Sequence, residues 1–175
     1  MDVPVIDTPR LRLRPHRAAD LSDCLAMWSD SAVVRYIGGK PSTEQQVWSR
    51  ILSYAGLWAH LGFGYRALEE RASGRFAGEF GFADFHRAIA PSMRDVPEIG
   101  WALMPAFHGR GYASEAVAAV TAWGDRSLRS PRTVCLIHPE NAPSLRVAEK
   151  SGYRVFERTE FSGAPVQFLE RQRGG

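Results

Sequence analysis

An apolar run from Glu98 to Leu103 leads through a turn holding Gly109 and Gly111 into an amphipathic helix that reaches Trp123. Few folds accommodate that junction. Glycines where a strand opens into a helix remove side chains at a point where a ligand can touch backbone. The first-turn N–H groups of such a helix have no intrahelical acceptor, and the helix dipole favours negative charge beside them. Arg110 adds a full positive charge. The junction reads as a socket for phosphate or pyrophosphate, so the chain is expected to handle a phosphorylated cofactor. A dinucleotide fingerprint fits poorly, because its third glycine or alanine falls at Ser114 and no repeated βαβ units precede it. The Lys-Ser/Thr of a P-loop is absent. A glycine turn that merely ends a strand is the plain alternative.

The rest of the chain supplies alternating strands and helices. Arg10-Leu-Arg-Leu-Arg14 alternates strictly and reads as a half-buried strand with Leu11 and Leu13 inward, ended by Pro15. Asp20 is placed to cap a helix carrying Leu21, Cys24, Leu25 and Trp28 on one face. Ser42 with Gln45, or Thr43 with Gln46, opens a second helix with Val47, Ile51, Tyr54, Ala55 and Trp58 as its stripe. Tyr65 to Arg71 and Phe76 to Phe85 form a hairpin about Ser73-Gly74. Residues 86–97 form a loop with Pro91 and Pro97. Thr133 to Ile137 is a continuous apolar strand. Asn141 caps a short helix ending near Lys150 and Gly152, and Tyr153–Arg158 with Val166–Arg171 closes the chain as a hairpin. The order β-α-α-β-β-β-α-β-α-β-β describes one α/β domain over residues 1–175 with a mixed sheet.

Composition excludes several function classes. With 22 basic and 19 acidic side chains among 175 residues, the net charge of +3 is too mild to argue for nucleic acid, and no run of five like charges occurs. No apolar stretch approaches a membrane span and the N-terminus lacks a secretory pattern, so a cytoplasmic location is expected. Cys24 and Cys135 sit in apolar patterns and read as buried free thiols. The five histidines have no metal-ligand spacing with each other or with the cysteines, so no metal is expected.

Two motifs carry a resemblance. His108-Gly-Arg-Gly-Tyr-Ala113 resembles the acetyl-CoA pyrophosphate loop of the GNAT acetyltransferase superfamily, with His108 departing from the usual Gln or Arg at the first place. Pro139-Glu-Asn-Ala-Pro-Ser-Leu-Arg-Val-Ala-Glu-Lys-Ser-Gly-Tyr153 is similar to a second signature of the branch that acetylates ribosomal-protein N-termini, and Thr8 to Arg14 looks like that branch's N-terminus. The resemblance implies a GNAT-like fold whose mostly antiparallel sheet splays between the fourth and fifth strands, here Glu98–Leu103 and Thr133–Ile137, with helices on both faces. It implies acetyl-CoA as cofactor and a protein N-terminus or small amine as acceptor. Backbone at Ala102, Leu103 and Met104 would hold the pantetheine arm. His108, Gly109, Arg110, Gly111, Tyr112, Ala113 and Ser114 would hold the pyrophosphate, with Asn141 and Ser144 completing the cofactor site. A homodimer is the assembly the branch implies.

For chemistry, Glu98 is the favoured general base, with Glu79 and Asp84 as other candidates. Many family members carry an acid tyrosine seven residues after the motif asparagine; that place is Ala148 here, which donates nothing. Ser144 is the replacement donor. Arg35-Tyr36-Ile37 falls in the region that lines the acceptor cleft in the family. The alternative function is a catalytically weak acyl-CoA-binding or sensing module.

Overall fold

Leu11 and Leu13 are fully buried, as the alternation requires, while Arg12 between them is exposed. The computed structural model describes residues 3–173, with helices on both faces of an eight-stranded sheet. Its elements are β1 (Ile6–Asp7), β2 (Leu11–Arg14), α1 (Leu21–Trp28), α2 (Ser31–Val34), α3 (Glu44–Leu61), β3 (Tyr65–Glu70), β4 (Phe76–Ala83) and β5 (Glu98–Leu103). Then come α4 (Tyr112–Ser127), β6 (Arg132–Ile137), α5 (Ala142–Lys150), β7 (Arg154–Phe161) and β8 (Ala164–Gln172). The order across the sheet is β1-β2-β3-β4-β5-β6-β8-β7, with β5–β6 the parallel pair.

The helices divide the core. α4 lays Ala116, Val117, Val120 and Trp123 against Phe80, Phe82, Ile99 and Leu103 on one face of the sheet. On the other, α1 and α3 bring Cys24, Met27, Trp28, Val47 and Ile51 against Ala67 and Ala102. Strand alternation decides which face each residue takes: Ile99, Trp101 and Leu103 look toward α4, and Glu98, Gly100 and Ala102 toward α1 and α3. Both cysteines are buried and free.

Three details depart from the sequence reading. β1 and α2 are additional; at two and four residues they are too short to show a period. Thr43 with Gln46, not Ser42 with Gln45, forms the capping box of α3. Asp20 does not cap α1: its carboxylate accepts from the Arg17 N–H at 2.8 Å and grips Arg14 through two bonds of 2.7 Å. Arg14 is buried by that pairing although the strand pattern pointed it outward with its neighbours. A second buried cation, Arg66, packs against the rings of both Trp58 and Trp123, 4.5 and 4.4 Å from their centres. Burial lowers its pKa to about 10.

Candidate functional site

β5 joins β4 through six consecutive residue pairs but meets β6 at one, Glu98 with Val134. Beyond that vertex the two strands part. The Met104 N–H donates to the Ala77 carbonyl at 2.8 Å, which sets the phase of the β4–β5 ladder. In that phase Gly100 and Ala102 spend their main-chain groups on β4, and Trp101 and Leu103 turn theirs into the gap. The expectation at Ala102, Leu103 and Met104 is therefore corrected: Leu103 faces the gap, Ala102 and Met104 do not, and Trp101 takes the other place. Consecutive residues cannot all face one neighbour, because strand amides alternate in direction. His108 also differs from expectation. Its Nε2 donates to the Leu103 carbonyl at 2.8 Å, so its side chain braces the strand.

At the wide end of the gap, Gly109 and Gly111 adopt φ of 73° and 77°, which favour glycine, and Gly111 is the N-cap residue of α4. Among the described residues, no acceptor takes the N–H groups of Gly109, Arg110, Gly111, Tyr112, Ala113 or Ser114. Six adjacent free donors at a helix N-terminus are an arrangement that favours a negative charge beside them. The Arg110 side chain turns aside to pair with Glu70 at 3.0 Å, and the Tyr112 hydroxyl donates to the same carboxylate at 2.6 Å. The cation nearer the helix start is Arg10, which the sequence reading missed. It donates to the Arg110 carbonyl at 2.9 Å and pairs with Glu115 of α4 at 2.7 Å. The outward arginines of the first strand were the available signal.

The carboxylates divide by environment. Glu98 sits at the vertex, buried, and receives Arg87 on both oxygens at 2.8 and 3.0 Å. The Arg87 guanidinium also lies over the rings of Phe85 and Phe161. Glu79 is fully buried and saturated: Trp28 Nε1 donates at 3.0 Å, the Tyr54 hydroxyl at 2.9 Å, and His16 Nε2 lies at 3.3 Å. Burial alone would raise its pKa, but hydrogen bonds from His16, Cys24 and Trp28 outweigh that and hold it below the ordinary carboxylate range. His16, Cys24 and Glu79 converge although their spacing gave no hint of it. Asp84 accepts from the His86 and Asp95 amides and shapes the loop.

On the far side of the gap, the Asn141 side chain accepts from the Ser144 N–H at 3.3 Å and caps α5 as expected. Ser144 is half-buried and Ala148 fully buried. Tyr153 is core, its hydroxyl 2.6 Å from Thr133 Oγ1. Tyr36 reaches His138, just past β6, with ring centres 5.1 Å apart.

The sequence pattern of the acetyltransferase (GNAT) domain matches residues 10–154. The chain belongs to the GNAT acetyltransferase family. It is 29% identical over 153 residues to the uncharacterized N-acetyltransferase YoaA of Bacillus subtilis, covering 86% of this chain and 83% of that one. It is 28% identical over 172 residues to the uncharacterized YkkB of the same organism, covering 94% of each. A Bordetella pertussis structure described as a GNAT-family acetyltransferase superposes with a TM-score of 0.85 at 37% identity, over 97% of this chain and 99% of that chain. The ribosomal L7/L12 α-N-protein acetyltransferase RimL, solved with coenzyme A, shares the fold at TM-score 0.78 and 18% identity, over 97% and 98% of the two chains. This GNAT chain thus has an acetyltransferase fold with its strand gap open and its loop amides unclaimed. Among the described residues, no helix is long and apolar enough to cross a membrane.

Proposed function

We propose that the protein moves an acetyl group from acetyl-CoA directly to a primary amine, either a protein N-terminus or a small amine. The observation that carries this is the pairing of a strand gap, closed at one residue pair, with six unclaimed N–H groups at its wide end. The socket at Gly109–Ser114 suits a pyrophosphate, with Arg10 supplying added positive charge. The main-chain groups of Trp101 and Leu103 suit the amides of a pantetheine arm, which would lie along β5 as an added strand does. Asn141 and Ser144 flank that arm from α5. Glu98 is the base in this reading, because Glu79 is saturated by donors and Asp84 is bound up in its loop. Arg87 takes one lone pair on each Glu98 oxygen and leaves others for the incoming ammonium. Holding amine and thioester side by side supplies much of the acceleration. Ser144 is the hydroxyl assigned to the leaving sulfur.

The test is thiol release from acetyl-CoA in the presence of a panel of small amines and short peptides. An acceptor that raises release well above hydrolysis is the expected result. Tight coenzyme A binding with no productive acceptor would support the second reading, a weak acyl-CoA-binding module, which the buried, donor-less Ala148 favours. Absence of coenzyme A binding would end both. The homodimer belongs to the same proposal and is read from the solution mass by light scattering. A cytoplasmic location and one domain over 1–175 are also part of this proposal.

A further inference from the structure

Tyr65 lies on β3, two strands away from the gap, yet its ring crosses the sheet to reach it. The crossing is possible because the two residues beneath the ring have no side chains. Tyr65 pairs with Gly81, and Gly81 pairs with Gly100. A Cβ on Gly100 would stand 2.0 Å from the Tyr65 hydroxyl oxygen. The ring is locked: it stacks on Tyr54 with centres 4.7 Å apart and planes 9° from parallel, and Phe85 lies on it at 6.3 Å. The Tyr65 carbonyl accepts from Trp58 Nε1 at 3.0 Å, so the backbone is held as well. Tyr65 is 8% exposed, and its hydroxyl has no hydrogen-bond partner among the described residues. The oxygen itself keeps contact with solvent, so its donor is free and a ligand atom can reach it.

That place is on the reacting segment. Glu98, Gly100 and Ala102 share one face of β5, each step about 6.7 Å along the strand. In the acetyl-transfer reading, an acyl arm held at Leu103 and Trp101 would bring its thioester toward Gly100, next to the Glu98 vertex. We infer that Tyr65 is a catalytic residue whose hydroxyl donates a hydrogen bond to the thioester carbonyl oxygen and stabilises the negative charge that collects there when the amine adds. The inference rests on the acetyl-transfer reading above. No proton leaves Tyr65 in this step. The nitrogen lone pair forms the C–N bond, the carbonyl π pair moves to oxygen and returns as the C–S bond breaks with its pair going to sulfur, and the proton that the added nitrogen sheds is matched by the one the thiolate receives through the Ser144 hydroxyl.

The surroundings suit a permanent donor. The charges of Glu98 on β5, Glu79 on β4, Arg50 on α3 and Arg87 from the 86–97 loop act on the phenol, and Tyr54 on α3 stacks against it. Burial and the Glu98 charge hold its pKa above the ordinary phenol value, so it stays protonated at neutral pH. A donor of this kind, aimed at developing oxyanion charge, contributes on the order of 100-fold in rate.

Tyr65→Phe is expected to lower kcat by about 100-fold with coenzyme A affinity and thermal stability unchanged. Gly100→Ala, which displaces the hydroxyl, should match that loss and add little in the Tyr65→Phe background. Incorporating 3,5-difluorotyrosine at position 65, whose phenol ionises nearer neutrality, should create a falling limb on the alkaline side that the natural residue lacks. A Tyr65→Phe variant within threefold of wild type, or a difluorotyrosine enzyme with an unchanged pH profile, overturns the inference. Failure of the wild-type protein to acetylate any amine would instead overturn the underlying reading, so the two outcomes are told apart.

Discussion

Two glutamates one strand apart sit in opposite surroundings. Glu79 is a buried anion fixed by an indole, a phenol, an imidazole and a thiol, which ties β4 to α1 and α3. Its pKa is depressed in the folded state, so its contribution is present above the unfolded value and drains away as pH falls below that value toward the folded one. Glu79→Gln should therefore destabilise the protein by on the order of 2–4 kcal/mol at pH 7. Chemical denaturation should show the gap narrowing below about pH 4. Glu98 instead stands at the vertex of the strand gap with lone pairs to spare. Glu98→Gln should cost kcat about 100-fold and change the acid limb of the rate profile. An unaltered profile would place the base elsewhere.

The element that matters most is the N-terminal turn of α4. It carries no side-chain cap, which would ordinarily weaken a helix, and leaves its donors for an anion. Glu115 in that first turn would repel a pyrophosphate, but Arg10 and the Thr8 hydroxyl take its charge. Gly109→Ala places a methyl in open space above a left-handed backbone, where an alanine costs roughly 1–2 kcal/mol. We expect the variant to fold and to bind coenzyme A at least tenfold more weakly by calorimetry. α5 shows the opposite design, with Asn141 capping its start. Asn141→Ala should lower stability by about 1 kcal/mol in thermal melts.

At the scale of the molecule, the sheet is two well-paired halves hinged at Glu98 and Val134, with α4 and α5 astride the opening. In the proposed function, a ligand lying along β5 and anchored at α4 would supply the missing ladder between the halves. Coenzyme A at a hundredfold excess over its Kd should add about 2.7 kcal/mol to stability. Hydrogen exchange resolves where: the Trp101 and Leu103 amides and those of Gly109–Ser114 should slow, whereas Ala102, already paired with β4, should not. Uniform slowing across the strand would contradict the phase of the ladder.

The Gly109–Gly111 turn, the amphipathic stripe of α4 and the Asn141 cap were legible in the amino-acid sequence because each is a local matter, a few neighbouring residues whose backbone preferences and side-chain periods need no distant partner. The order of the longer strands and helices followed for the same reason, whereas β1 and α2 are too short to leave a pattern. What no local pattern carried was the phase of β5 against β4, which decides that Trp101 and not Ala102 faces the gap. Nor did it carry the passage of Tyr65 across Gly81 to Gly100, the capture of Asp20 by Arg14, or the burial of Glu79 among donors from α1 and α3. Those depend on residues far apart in the chain meeting through space, and only the packed tertiary structure sets such distances.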